Sequence, residues 1–218
     1  GLHLSRTGWL RAGVTLTEAT RRLGKATGLR VRLLPCTDSL LRTMLQTDAG
    51  TLSFQEYFVR RAHTDDVHGV EFAGAATAAP APGVIDALSH ASAVNLAPSN
   101  PIISIGPILA VAEIRETLAQ RSVSCVAVSP IVAGTAIKGP AAAMLRSLGY
   151  EVSPVGVAEL YAGLIDGMVI DSQDAHHADA IEQRGVAVTV TDTIMHDQHS
   201  RVGLARATIA AAMTSAVR

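Results

Sequence analysis

The sequence predicts an α/β fold: a doubly wound, mostly parallel sheet of Rossmann-like type with a smaller α+β lobe. Three observations lead there. From Val70 onward short apolar runs alternate with helical periodicity at a steady rhythm. Apolar residues make up 48% of the 218 and aromatics only 3%, which suits a buried parallel sheet under Ala-rich helices. The residues before Val70 break that rhythm and set strands around a tight turn. The chain is therefore expected to divide into a lobe over a cleft, residues 1–69, and a core, residues 70–218.

The elements follow in order. Leu4, Trp9 and Leu10 share one face of an opening helix, Leu2 to Ala12, which Gly13 ends. Thr15 or Thr17 caps a second helix that carries Glu18 in its first turn and closes at Gly28. Val31, Leu33 and Leu34 predict a strand. Thr43–Gln46 and Leu52–Val59 predict two more around Asp48-Ala49-Gly50. Beyond them come strands at Val70–Ala73, Ala93–Ala97, Ser124–Ser129, Met168–Asp171 and Val186–Val190. Helices are expected through Leu88 from Pro80, at Ile108–Gln120, Pro140–Leu148, Val157–Leu164, His176–Arg184 and Arg201–Val217.

Composition excludes some partners. The formal net charge is −1, and no basic patch is interleaved with aromatics, so nucleic acid is not expected. The longest apolar stretch, 91–112, is broken by Pro98, Pro101 and Pro107, whereas a membrane span needs roughly 20 unbroken apolar residues. Cys36 and Cys125 lie far apart without metal-ligand spacing and read as free thiols of a cytoplasmic protein. The chain opens on Gly1 inside a predicted helix and is expected to be a piece of a longer protein.

In open α/β sheets ligands sit beyond the carboxyl ends of the strands. Three loops fall there. In the first, Pro98 to Pro107, Ser99, Asn100 and Ser104 with the following helix N-terminus suit a phosphate, or they shape and cap a proline turn. In the second, Pro130 to Pro140, Lys138 supplies a point charge and Gly139 lets backbone approach a ligand, or Lys138 is a solvated surface group. In the third, Thr191, Asp192 and Thr193 grip a nucleotide or cap the last helix. The run Phe54–Val59, read as a strand, puts Gln55 and Tyr57 on one face and Glu56 on the other, lining a cleft or lying exposed. His176, His177, His196 and His199 cluster without a metal-ligand order, so a histidine metal site is not expected. No catalytic residue or metal ligand can be assigned from these residues.

Taken together, the segments 97–111 (APSNPIISIGPILAV), 129–141 (SPIVAGTAIKGPA), 156–171 (GVAELYAGLIDGMVID) and 190–195 (VTDTIM) are more specific than any one of them. With 54–61 (FQEYFVRR) ahead of them, the chain resembles the 2-phospho-L-lactate transferase family over nearly its whole length, and is similar to the actinobacterial branch described as using a phosphoenolpyruvyl donor. The resemblance implies a transferase of coenzyme F-420 biosynthesis. A guanosine diphospho donor would pass 2-phospho-L-lactate or phosphoenolpyruvate to the deazaflavin Fo with Mg²⁺ and release GMP. It makes 70–218 the nucleotide-donor-binding core. It puts Ser99, Asn100, Ser104, Lys138 and Gly139 on the donor phosphates and Gln55, Glu56 and Tyr57 in the cleft or on the acceptor. It also implies an N-terminal strand and glycine-rich turn with an acidic segment for Mg²⁺ and Fo, which does not precede Leu2 here. A homodimer stays open. The alternative function is a non-catalytic nucleotide- or nucleotide-sugar-binding regulator of related fold.

Overall fold

The structure, a computed structural model, describes residues 1–62 and 64–215. Among them are two larger sheets. Strands β1 (Arg42–Thr47), β2 (Gly50–Ser53) and β3 (Val67–Ala73) form an antiparallel sheet in the order β2-β1-β3. Strands β4 (Val94–Leu96), β5 (Cys125–Val128), β8 (Gly167–Asp171) and β9 (Ala187–Thr191) form a parallel sheet in the order β4-β5-β8-β9. Between β5 and β8 a hairpin of β6 (Ile131–Val132) and β7 (Thr135–Ala136) stands apart.

The parallel sheet is an α/β/α layer because its strands are apolar on both faces. Every residue of β5 and β8 is buried. Cys125 and Ala127, with Met168 and Ile170, point to one face and pack under the crossover helices through Ile114, Met144, Val157 and Ile181. Val126, Val128 and Val169 point to the other face and pack under Leu204, Ala211 and Ala212 of the closing helix Gln198–Thr214. Strands laid down in one direction put their connecting helices on one side, which leaves the far side to that last helix.

The antiparallel lobe is not an independent body. Leu45, Tyr57 and Val67 belong to the same apolar cluster as the residues under the crossover helices. β3 lies against helix Ala141–Ser147, and the boundary expected at 69/70 falls inside β3. Gly106 has no room for a side chain, because a Cβ there would come within 2.8 Å of the Phe72 ring of β3.

The helices expected at Val157–Leu164 and His176–Arg184 are shifted, to Pro154–Leu160 and to a turn Ser172–His177 followed by helix Ala178–Glu182, and four further elements differ from expectation. Val31–Leu34 is no strand: Val31 and Leu33 are exposed, and the segment finds no sheet partner among the described residues. The strand expected through Val59 stops at Ser53, where a reciprocal capping box starts a helical turn that continues as Glu56–Arg60. Ser53 Oγ accepts from Glu56 N at 3.3 Å, and Glu56 Oε2 accepts from Ser53 N at 3.1 Å. The helix expected at Ile108–Gln120 begins earlier, as the wide turn Pro101–Ile105 and helix Gly106–Leu109, and breaks before Ala112–Ala119. The closing helix begins at Gln198 under an Asp197–Ser200 capping box; its expected end at Val217 lies outside the described residues.

Helix Pro154–Leu160 is seated by Ser153, whose Oγ accepts from Val155 N at 3.1 Å, and by bare backbone at Gly156. A Cβ on Gly156 would lie 2.0 Å from the Glu151 carbonyl oxygen, which is backbone and cannot swing away. Gly156→Ala is therefore expected to cost roughly 1–3 kcal/mol, the usual range for overpacking a core. Chemical denaturation checks it; a variant as stable as the parent would show that this contact relaxes freely.

Candidate functional site at the carboxyl edge

Four parallel strands bring the loops after β4, β5, β8 and β9 to one edge, and buried polar groups tie three of them together. Asp171 closes β8 and is 2% exposed. Its Oδ2 accepts from Thr193 N at 2.9 Å and Thr193 Oγ1 at 3.0 Å, and its Oδ1 accepts from Gln173 N at 3.0 Å and Gln173 Nε2 at 3.2 Å. Burial pushes this carboxyl up, but the donors from Thr193 and Gln173 win and hold it below the ordinary carboxylate range. Asp174, one turn on and 1% exposed, accepts from Ala133 N with both oxygens at 3.1 Å. Ala133 and Gly134 have φ of 48° and 70°, a left-handed pair that closes the β6–β7 hairpin. So β8 holds the β9 loop through Asp171 and the post-β5 hairpin through Asp174.

The post-β4 segment is built differently. Asn100 caps the turn Pro101–Ile105, its Oδ1 accepting from Ile102 N at 2.8 Å and Ile103 N at 3.1 Å, while its Nδ2 contacts Met144 Sδ at 3.7 Å. The Asn100 carbonyl accepts from Ser104 N at 3.0 Å and Ile105 N at 3.1 Å. Pro101 has no N–H to give. The free backbone donors expected at this helix start are therefore already used, a correction to the argument for a phosphate there. What the segment offers a ligand is the half-buried Ser99, the exposed Ser104 and the Asn100 amide. Lys138 and Gly139 follow the hairpin and are exposed, with Gly139 at φ 77°.

Other candidate residues are relocated. Thr193 neither caps the last helix nor reaches outward; it is 4% exposed and bound to Asp171. Asp192 is exposed and its Oδ1 accepts from Ile194 N at 3.0 Å, while Asp197 takes the cap. Thr191 is the half-buried last residue of β9. Because 54–60 is helical rather than extended, Gln55, Glu56 and Tyr57 do not share strand faces as expected. Tyr57 is 1% exposed and packs in the core, so it does not line a cleft. Gln55 and Glu56 line a groove of about 920 Å³ in the lobe, together with Arg42, Thr43 and Arg60. Hydrogen bonds from Ser53, aided by Arg60, hold Glu56 below the ordinary carboxylate range. The His176 and His177 rings lie tilted at 39° to each other with centroids 4.0 Å apart, and among the described residues no three His, Cys, Asp or Glu side chains group as a metal site.

Asp171 and Asp174 escaped the sequence reading as site residues. A signal was present: Asp171 ends the uninterrupted buried run Gly167–Ile170, where a carboxylate has to find donors.

The family model described as 2-phospho-L-lactate transferase CofD matches residues 1–212, which takes in all four edge loops. The chain belongs to this family. It is 35% identical over 193 residues to the 2-phospho-L-lactate transferase of Methanosarcina mazei, covering 88% of this chain and 63% of that protein. It is 38% identical over 215 residues to the phosphoenolpyruvate transferase of Kitasatospora aureofaciens, covering 96% of this chain and 67% of that protein. The chain thus spans less than two thirds of the archaeal relative's length. A crystal structure of a UPF0052-family protein from Bacillus halodurans superposes with a TM-score of 0.69 at 13% identity, over 93% of this chain and 70% of that one, which establishes the shared fold.

The Asp171 anchor gives a pH test. Its folded-state carboxyl titrates below the unfolded value of about 3.9, so its stabilisation is complete above that value and is lost as pH falls through the folded one. Asp171→Asn, which sets an amide among hydrogen-bond donors, is expected to cost roughly 1–3 kcal/mol at pH 7. The gap from the parent should narrow below about pH 4. A gap that is absent at pH 7, or that widens in acid, contradicts the assignment.

Proposed function

We propose that this chain forms the donor-binding part of a transferase of coenzyme F-420 biosynthesis. It would move 2-phospho-L-lactate or phosphoenolpyruvate from a guanosine diphospho donor to the deazaflavin Fo and release GMP. The observation that carries this is the family match running through every carboxyl-edge loop, with relatives named for both phospho-acids.

The chemistry asks for positioning and charge neutralisation. A terminal hydroxyl oxygen of Fo forms a bond to the phosphorus that bears the acid, the bond from that phosphorus to the GMP oxygen breaks, and the hydroxyl proton leaves to solvent. On this reading Ser99, Ser104 and the Asn100 amide donate to the donor diphosphate, and Lys138 beside Gly139 lends charge. Asp192, exposed at the same edge, faces the nucleoside. Gln55 and Glu56 in the lobe groove serve the acceptor. Fixed loops lower the ordering cost when the donor binds, which is the contribution of Asp171 and Asp174.

Mg²⁺ belongs to the proposal as a companion of the diphosphate. It prefers oxygen ligands and keeps several waters. The described residues do not build a site for it alone: the oxygens of Asp171 and Asp174 accept hydrogen bonds from Thr193, Gln173 and Ala133. Two free cysteines fit a reducing, cytoplasmic setting, and among the described residues no helix is long and apolar enough to cross a membrane.

Synthetic donor, Fo and Mg²⁺ incubated with the chain joined to the unmatched part of the Kitasatospora aureofaciens phosphoenolpyruvate transferase should yield GMP and the phospho-acid ester of Fo in equal amounts, followed by mass spectrometry. Donor binding without transfer would favour the nucleotide-binding regulator instead. Asn100 divides cap from ligand contact. Asn100→Asp keeps an N-cap oxygen and should match the parent in stability, yet bind donor roughly tenfold or more weakly, because a carboxylate replaces the amide donor. Asn100→Ala should lose about 1 kcal/mol of stability as well. Undiminished donor binding by Asn100→Asp would make Asn100 a cap and nothing more.

A further inference from the structure

Between β5 and helix Ala141–Ser147 the chain passes through a strained turn and then a bare arm. Val132 and Pro140 are buried, and the residues between them are exposed except for the half-buried Ala136. Ala133 and Gly134 make the tight turn of the β6–β7 hairpin with positive φ. Such turns favour Asn, Asp or Gly at the first position, and an Ala there persists only where its surroundings hold it. Asp174 holds it, both carboxylate oxygens accepting from Ala133 N. Thr135 Oγ1 donates to the Val132 carbonyl at 2.9 Å and closes the turn from the other side. The hairpin is therefore fixed as far as Ala136, which pairs with Ile131.

Past Ala136 that support ends. Among the described residues Lys138 and Gly139 make no hydrogen bond. Gly139 has φ 77°, and a Cβ there would meet no atom within 4 Å, so the backbone has room to turn. Ile137 is 54% exposed. A single apolar side chain in water is ordinary on a protein surface. This one stands next to Lys138 on the carboxyl edge, and a counterpart, Met195 at 44% exposed, stands on the loop after β9. Asp174 holds the first of these loops and Asp171 the second, so the two apolar side chains come from loops fixed on either side of the end of β8.

Transfer of a phosphorus-bound acid to a hydroxyl has a competitor in water, which attacks the same phosphorus and is far more abundant. Exposed Ser, Lys and Asp side chains attract water; an apolar cover removes it. We infer, resting on the donor reading of this edge, that Ile137–Gly139 is a strap that closes over a bound diphosphate, and that Ile137 sets the choice of the acceptor hydroxyl over water. Closure turns the arm about Gly139, carries Lys138 to the phosphates and lays Ile137 toward Met195 across the phosphorus. With the strap open, a water oxygen forms the bond to that phosphorus, the bond to the GMP oxygen breaks, and the proton goes to solvent. The products are then GMP and the free phospho-acid instead of the ester.

Two measurements test it. In the isotopically labelled chain, saturating GDP should slow amide exchange at Ile137, Lys138 and Gly139 by roughly tenfold or more. Unchanged exchange there, while GDP binds and shifts Asp192, overturns the strap and leaves the donor reading standing. GDP that does not bind overturns both. The second measurement uses the chain joined to the unmatched part of the Kitasatospora aureofaciens relative, with synthetic donor, Fo and Mg²⁺. Ile137→Ser should raise the ratio of free phospho-acid to Fo ester roughly tenfold at equal GMP, and Ile137→Leu should keep the parent ratio. Ile137 is exposed, so both variants should match the parent in circular dichroism. An unchanged ratio in Ile137→Ser, or the same rise in Ile137→Leu, overturns the role given to Ile137.

Discussion

A carboxylate sealed at the end of a buried strand must be supplied with hydrogen-bond donors, and the carboxyl edge of this protein is arranged around two such groups. Asp171 draws its donors from Thr193 and Gln173, and Asp174 from Ala133. Unpaired, each would cost several kcal/mol, so the loops that satisfy them are not free to wander. The loop after β9 is fixed to β8, and the hairpin after β5 is fixed to the turn after β8. That hairpin in turn leads to Lys138 and Gly139 and then to helix Ala141–Ser147, where Met144 meets the Asn100 amide. The edge is thus a connected frame on which three exposed groups, Ser104, Lys138 and Asp192, project.

The opposite edge shows the same economy with a different outcome. Asp166 sits just before β8, pairs with Arg121 and accepts from Cys125 N at 2.8 Å. That carboxylate neutralises a buried guanidinium and joins β5 to β8. One sheet therefore carries a structural ion pair at its amino edge and hydrogen-bonded carboxylates at its carboxyl edge, the latter beside the segments most specific to the family.

Much of this was legible in the residues. Runs such as Cys125–Val128 and Met168–Ile170 have no polar alternation, so they could only be strands buried on both faces, and they are. Gly13 and Gly28 stop helices as their backbone freedom suggests, with φ of 82° and 70°. The misreadings came where local hydrogen bonding overrode pattern. Phe54–Val59 looks extended by composition, but Ser53 and Glu56 cap each other and wind it. Pro98–Pro107 looks like a loop because of its prolines, yet Pro101 at the first position and Asn100 as cap are what a helix start wants. The donor site was legible by position and partly by bonding: the capping alternative for Asn100 is the one its two N–H partners show, whereas nothing in the order of residues shows that Thr193 turns inward.

On the proposed function, the carboxyl edge framed by Asp171 and Asp174 receives the guanosine diphosphate portion of a donor. Chemical-shift mapping of the isotopically labelled chain with GDP tests it most directly. Saturable shifts confined to residues 97–105, 131–139 and 191–195 are expected. Shifts centred on Arg121, Ser124 and Asp166 at the amino edge, or none at saturating GDP, would contradict it.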